Sequence, residues 1–171
     1  EDLAWRLASD IFPGLTLETV ALRDNQGYYS QEEVRDFITF CKKHFVEVIP
    51  EIDMPGHTNA ALASYAELNC NGKATELYTG TEVGFSTLCT KKEITYKFID
   101  DVVRELAALT TGPYIHIGGD ESHATKKEDY IPFVEKVQDI VLQKGRLVEK
   151  HFCKLQFQTE ETNHYFDRGK K

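Results

Sequence analysis

The sequence predicts an α/β fold assembled from parallel β/α units. Three observations carry that expectation. Amphipathic helical patterns alternate with short β-branched runs. Two of those runs end in Pro or Gly turns crowded with acids and histidines. The helices open on recognisable capping sequences. Parallel α/β sheets and barrels gather their chemistry at the C-terminal ends of strands, which is where both polar clusters fall.

Element by element, Pro13-Gly14 and Asn25-Gln26-Gly27 mark turns in residues 1–29. Ser30-Gln31-Glu32-Glu33 reads as a capping box opening a helix with Val34, Phe37, Ile38 and Cys41 at helical spacing. Phe45 to Pro50 is a strand candidate, stopped by Pro50 and the Met54-Pro55-Gly56 turn. Asn59 to Leu68 is alanine-rich and helical in pattern, and residues 69–89 form a long loop. Thr90-Lys91-Lys92-Glu93 reads as a second capping box, ahead of Ile94, Phe98, Val102, Leu106 and Leu109 on one helical face. Tyr114 to Ile117 is a second strand, ended by Gly118-Gly119. A third helix spans about Asp129 to Lys144, with Pro132 expected in its first turn and Gly145 as its cap. Arg146-Leu147-Val148 begins another strand.

Composition narrows the function. With 171 residues, 41% of them hydrophobic, the chain can build one core and is not disordered throughout. A net charge of −8 argues against nucleic acid as the partner, because phosphate binding needs a basic face. No apolar run approaches the roughly 20 residues that span a bilayer. The chain opens on Glu1-Asp2 without a signal peptide, as a mature form or a fragment does. Of the four cysteines, Cys41 sits in a helical pattern as a buried free thiol, and none has CxxC zinc spacing. Cys70 and Cys89 flank the long loop; spacing alone leaves their pairing open, since four cysteines allow three connectivities.

The candidate chemical residues are Glu51, Asp53, His57, His116, Asp120, Glu121 and His123. Adjacent carboxylates repel, so one can keep its proton while the other ionises, as acid-assisted cleavage of a C–O bond requires. In a regular strand Asp120 and Glu121 would face opposite sides; a bend at Gly118-Gly119 could turn both into one pocket. Asp10, Asp100, Asp101, Asp129 and Glu135 read as solvated charges. A divalent metal is the competing use of the same residue types, though no pair has HxxxH spacing. A metal therefore ranks below the carboxylate mechanism, which itself calls for no metal and no cofactor.

Pro50-Glu51-Ile52-Asp53-Met54-Pro55-Gly56-His57 followed by Thr58-Asn59-Ala60-Ala61, and His116-Ile117-Gly118-Gly119-Asp120-Glu121, resemble the hallmark segments of glycoside hydrolase family 20, the β-N-acetylhexosaminidases. The resemblance runs from about residue 4 to 148 and takes in Gly27 to Glu33 and Leu68 to Cys89. It implies part of a (β/α)₈ TIM barrel: about the third and fourth strands with their helices and the beginning of the fifth, incomplete as a closed barrel, where a whole one takes about 250 residues. Residues 1–148 would be the partial catalytic domain and 149–171 a divergent tail.

The resemblance also implies retaining, substrate-assisted removal of terminal N-acetylglucosamine or N-acetylgalactosamine. Glu121 would be the general acid and then the base; Asp120 would orient the 2-acetamido group that attacks the anomeric carbon. His57 would stand in a hydrogen-bond network behind the acid and His116 on the pocket floor, with Glu51 and Asp53 as substrate-binding or supporting residues. Its secreted bacterial members imply a Cys70–Cys89 disulfide and an extracytoplasmic location. The implied partners are N-acetylhexosamine-terminated glycans or chito-oligosaccharides, with no nucleic acid and no membrane, and with another chain as one way to complete the barrel.

Departures accompany the match. The family's sugar-binding arginine belongs to a strand that would precede Glu1, and Glu1-Asp2-Leu3 stands where the family reads Asp-Asp-Gln. The Gly-Trp segment and the acetamido-binding tyrosine have no counterpart after Val148; Trp5 is the only tryptophan and Tyr165 lies in no matching motif. A non-catalytic remnant or sugar-binding module is therefore the alternative function, and a metal-dependent hydrolase the second alternative.

Overall fold

The structure, a computed structural model, describes residues 5–16, 27–78 and 80–149. The tail from residue 150 onward, with Cys153 and Tyr165, lies outside the described residues, as do residues 1–4. The described elements are α1 (Gln31–Lys43), α2 (Asn59–Ser64), a 3₁₀ turn (Ala66–Leu68), α3 (Glu93–Leu109), β1 (Tyr114–His116), α4 (Lys127–Gln143) and β2 (Leu147–Glu149).

Helix α1 starts as its sequence predicts. The Ser30 hydroxyl accepts the Glu33 amide and the Glu33 carboxylate accepts the Ser30 amide, satisfying two otherwise orphaned donors. Its end is less ordinary. The Phe45 and Val46 amides donate back to the Lys42 and Cys41 carbonyls, which puts Phe45 in the left-handed region at φ 58°. Gly145 does the same job after α4 at φ 70°, where no Cβ is strained.

That turn corrects the first strand. Phe45 to Pro50 makes no ladder among the described residues; the pairing begins at Pro50. The His116 amide donates to the Pro50 carbonyl, the Ile52 amide to His116, and the Met54 amide to Ile117. Proline removes a donor and keeps its acceptor, so Pro50 opens this parallel run instead of closing it. On its other side β1 pairs in parallel with β2, in register Tyr114↔Leu147, Ile115↔Val148 and His116↔Glu149. Three neighbouring segments thus run the same way, as β/α units require.

Three helix expectations also shift. The Thr90 capping box does not form: Lys92 is the N-cap of α3 and makes no side-chain cap bond, while the Thr90 carbonyl accepts the Tyr96 hydroxyl. Cys89 is held by Leu68 and by its disulfide, so the chain turns at Thr90-Lys91 before the helix can begin. Helix α4 begins at Lys127, with Glu128 and Asp129 in its first turn against the positive end of the dipole; Pro132 is its sixth residue, past the first turn. The run from Asn59 to Leu68 breaks at extended Tyr65 into α2 and the 3₁₀ turn.

The core lies between the sheet and helices α3 and α4. Ile115 and Ile117 meet Val102, Val103 and Leu106 from one helix and Phe133, Val137 and Val141 from the other. Asp101 is buried, contrary to the solvated reading: Lys97 and Arg104 donate to its carboxylate at 2.8 and 2.6 Å and hold its pKa below the usual range. Helix α1 packs more loosely. Cys41 is its one buried residue, Phe37 and Phe40 are exposed, and a cavity of about 810 Å³ separates its face from Ile52 and the α3 side chains Phe98, Val102 and Leu106.

Cys70 and Cys89 form a disulfide across the long loop. Closing a loop of this length restrains the unfolded chain by about 3 kcal/mol. Replacing both cysteines by alanine is expected to lower the urea-unfolding free energy by about that amount; a loss near zero would mean the loop's other ties already hold it.

Candidate active site

Two turns at the C-terminal ends of neighbouring strands face each other. The first runs from Asp53 through the cis Met54–Pro55 bond to His57. The second runs from Gly118 to Ser122. Each needs left-handed backbone: φ is 63° at Gly118, 115° at Gly119, 46° at Glu121 and 54° at His57. Such angles at residues with a Cβ cost about 1–2 kcal/mol each. Strain of this kind concentrates where a side chain must be aimed, and here it falls on the two residues that meet. His57 Nε2 lies 3.3 Å from Glu121 Oε2 and 3.8 Å from Asp53 Oδ2.

Asp53 is the hub. One of its oxygens accepts the Gly119 amide at 2.9 Å, tying the first turn to the second. Burial pushes its carboxyl up to about 7, against the pull of that amide; the Asp120 charge raises it further and His57 lowers it. Gly118 is where this tie leaves no room: a Cβ built there would stand 1.8 Å from Asp53 Oδ1 and 2.7 Å from the Asp53 Cα. Tyr130, from the buried face of α4, donates its hydroxyl to the Gly119 carbonyl at 2.6 Å and braces the same turn from behind.

Asp53, His57, Asp120 and Glu121 therefore converge. His116 and Glu51 form a separate pair. His116 is buried, and its Nδ1 lies 3.0 Å from Glu51 Oε1 and 3.2 Å from the Gly118 amide that donates to it. The two contacts need opposite protonation of one nitrogen, so they are alternatives. His123 is exposed on the loop beyond the acid, its ring against Gly84. The 810 Å³ cavity reaches Asp53 and His57 from the α1 side, and neither Asp120 nor Glu121 lines it.

The geometry keeps acid chemistry and ion binding both open. Glu121, its side chain 44% exposed, is open to solvent with a nearly buried imidazole behind it. That suits a group which exchanges a proton with a substrate. Asp53, His57 and Asp120 could each offer one ligand atom within 4.8 Å of the others.

Sequence reasoning did not single out Tyr130 or the residues of the long loop. Tyr130 carried a weak signal, a hydroxyl on an apolar helix face. The loop is bound to both turns: Leu88 N–H donates to the Pro55 carbonyl, Thr58 N–H to Ser86 Oγ, and Ala124 N–H to the Gly84 carbonyl. Nothing local in the sequence announces those ties.

The comparisons agree on one family. The model of the glycosyl hydrolase family 20 catalytic domain matches residues 1–169, so the match also takes in residues set apart above as a tail. A β-N-acetylhexosaminidase from Cellulomonas fimi is 35% identical over 151 residues, 86% of this chain and 30% of that protein. A β-hexosaminidase from Porphyromonas gingivalis is 41% identical over 127 residues, 71% of this chain and 16% of that protein. Among solved structures, the GH20 β-N-acetylhexosaminidase of Streptomyces coelicolor A3(2) superposes with a TM-score of 0.84 at 50% identity, covering 88% of this chain and 31% of that one. A mutant Streptomyces plicatus β-hexosaminidase in complex with product (GlcNAc) gives 0.83 at 51%, with the same coverage. The chain thus spans less than a third of the length of these relatives. Catalytic domains of this family are TIM barrels, and the described sheet and helices match a portion of one.

Proposed function

Because this chain belongs to glycosyl hydrolase family 20, we propose that it carries the acid pair for removing terminal, non-reducing N-acetylhexosamine from β-glycosides with retention. The observation that carries the proposal is Glu121 at a strand's C-terminal end, half-exposed, with His57 Nε2 3.3 Å behind its carboxyl and Asp120 beside it in the chain. The substrate's acetamido oxygen attacks the anomeric carbon while the bond to the leaving oxygen breaks. Glu121 delivers its proton to that oxygen. Asp120 orients the acetamido group and stabilises the positive charge that develops on its nitrogen. An oxazolinium-type intermediate results. Glu121 then takes a proton from water, which attacks the same carbon and restores the acetamido group. His57 and Asp53 position Glu121 and Asp120.

The substrates proposed are glycans ending in N-acetylhexosamine, chito-oligosaccharides among them. An extracytoplasmic location is supported by the Cys70–Cys89 disulfide, a bond of oxidising compartments. Among the described residues no helix is long and apolar enough to cross a membrane.

The test is hydrolysis of aryl and disaccharide β-N-acetylglucosaminides by the full chain, and by a hybrid in which residues 5–149 replace the matching segment of the Streptomyces coelicolor enzyme. Glu121→Gln is expected to lower kcat about 10²- to 10⁴-fold on the disaccharide, and less on a nitrophenyl glycoside, whose leaving group needs less proton assistance. Binding of a thiazoline analogue without turnover in either protein would favour the sugar-binding alternative. The Asp53–His57–Asp120 cluster supports the metal reading; a rate abolished by chelation and restored by a divalent ion would replace the acid mechanism with it.

A further inference from the structure

We infer that Tyr130 is a positioning residue for Asp120: its hydroxyl sets the plane of the Gly119–Asp120 peptide, and so the direction in which the Asp120 carboxylate meets the substrate's acetamido group. The inference rests on the role proposed for Asp120 and goes beyond it, because Tyr130 lies on a helix behind the site and takes no part in the proposed proton transfers.

The glycine pair creates the need. Gly118 and Gly119 stand at φ 63° and 115°, and without a Cβ neither residue confines the backbone that follows it. The direction of Asp120 must therefore come from bonds to other elements. The Gly119 amide is held on Asp53 Oδ1 at 2.9 Å. That leaves ψ of Gly119, a rotation that swings its carbonyl and, in the same planar peptide, the Asp120 N–Cα bond. The Tyr130 hydroxyl, donating to that carbonyl at 2.6 Å, opposes this rotation. The Ser122 hydroxyl donates to the Asp120 carbonyl at 3.2 Å from within the same turn, so it travels with the turn and cannot anchor it.

Tyr130 can anchor the turn because it is itself held. It is 4% exposed, and its amide donates to the Lys126 carbonyl at 2.9 Å, closing the first turn of α4. It stands one turn ahead of Phe133 and Val134, on the face that α4 packs into the core. Groups carried by packed elements are placed more precisely than groups on loops. A force also acts against the placement. A carboxylate oxygen of Asp120 lies within 4.8 Å of one of Asp53, and like charges this close repel whenever both are ionised. Asp53 and Tyr130 grip Gly119 from opposite ends and keep Asp120 from swinging away.

The test is Tyr130→Phe, which keeps the ring and removes the hydroxyl, in the full chain and in the hybrid barrel. A misplacement of about 1 Å can cost a reaction about 10²-fold, so kcat on N,N′-diacetylchitobiose is expected to fall about 10- to 100-fold with KM within about twofold. A thiazoline analogue, which mimics the bicyclic intermediate, should lose affinity by a similar factor, and N-acetylglucosamine by less than about twofold. In an Asp120→Asn background Tyr130→Phe should cost less than about twofold, since no carboxylate is left to aim. Replacing Tyr130 by 4-aminophenylalanine, which keeps a weaker donor at the same end of the ring, should cost only about threefold in kcat; it carries the same comparisons if Tyr130→Phe does not fold. Unchanged kcat, equal losses of thiazoline and N-acetylglucosamine affinity, or an undiminished loss in the Asp120→Asn background would each overturn the inference while leaving the acid role of Glu121 intact. Absence of both turnover and thiazoline binding in a cooperatively folded, unmodified hybrid would overturn the acid-pair proposal and the inference with it. If the hybrid does not fold, a graft of residues 114–143 alone into the same relative carries the same comparisons and the same outcomes.

Discussion

Gly118→Ala is expected to destabilise the protein by about 2–5 kcal/mol and to remove the proposed turnover, although it adds one methyl group. Two costs add at this position. Left-handed backbone disfavours any Cβ by about 1–2 kcal/mol. The new carbon would also stand 1.8 Å from Asp53 Oδ1 and 2.7 Å from the Asp53 Cα. A flexible side chain could swing away; a Cα cannot, so the two turns must separate, at a further cost of about 1–3 kcal/mol. Separation breaks the Gly119–Asp53 hydrogen bond and moves Glu121 away from His57. Gly72 provides the control. It has φ 71° with nothing within 4 Å of a built Cβ, so Gly72→Ala should show the backbone cost alone, about 1–2 kcal/mol. Urea midpoints of the two variants check the claim, and equal losses would show that no close approach exists at Gly118.

Asp53→Asn should stabilise the protein at pH 8 by about 1–2 kcal/mol and leave it unchanged at pH 4. The Asp53 carboxyl is raised to about 7 in the folded protein, against about 3.9 in an unfolded chain. Between those values the folded state holds a proton that the unfolded state has released. Stability therefore falls as pH rises from about 4 to about 7, and the penalty stays at its full size above that. Asparagine is neutral throughout, keeps an oxygen for the Gly119 amide, and escapes the penalty. The gain is kept below the full shift because water reaches part of the group, whose side chain is 19% exposed. Melting temperatures of both proteins from pH 4 to pH 8 read the difference. A variant that loses stability relative to the parent as pH rises would reverse the assignment.

Much of this site is legible in the sequence because its chemical residues are consecutive. His116 to Glu121 joins a strand, two glycines and two acids in one run, and the Pro50–His57 segment does nearly the same. Periodicity located α3 and α4, and the Ser30 box located the start of α1. What failed did so for physical reasons. Phe45 to Pro50 has strand composition, yet hydrogen-bond register depends on what lies alongside, and proline's intact carbonyl moved the pairing past it. Thr90 to Glu93 matches a capping pattern, but a disulfide and a backbone bond at Cys89 set where the helix can begin. Asp101 looks like any helix acid until the lysine at i−4 and the arginine at i+3 close over it. The left-handed backbone at His57 and Glu121 has no sequence signal at all, since neither residue is a glycine.

The ties of the long loop bear on how the protein opens. The disulfide joins the loop's two ends, and its amides and carbonyls bind both the His57 turn and the Glu121 turn. No one of these bonds can break far without stretching the rest, so the loop and the two turns should behave as one cooperative unit. In hydrogen exchange the Thr58, Leu88 and Ala124 amides would then show one common opening free energy, and reduction of the disulfide would lower all three together.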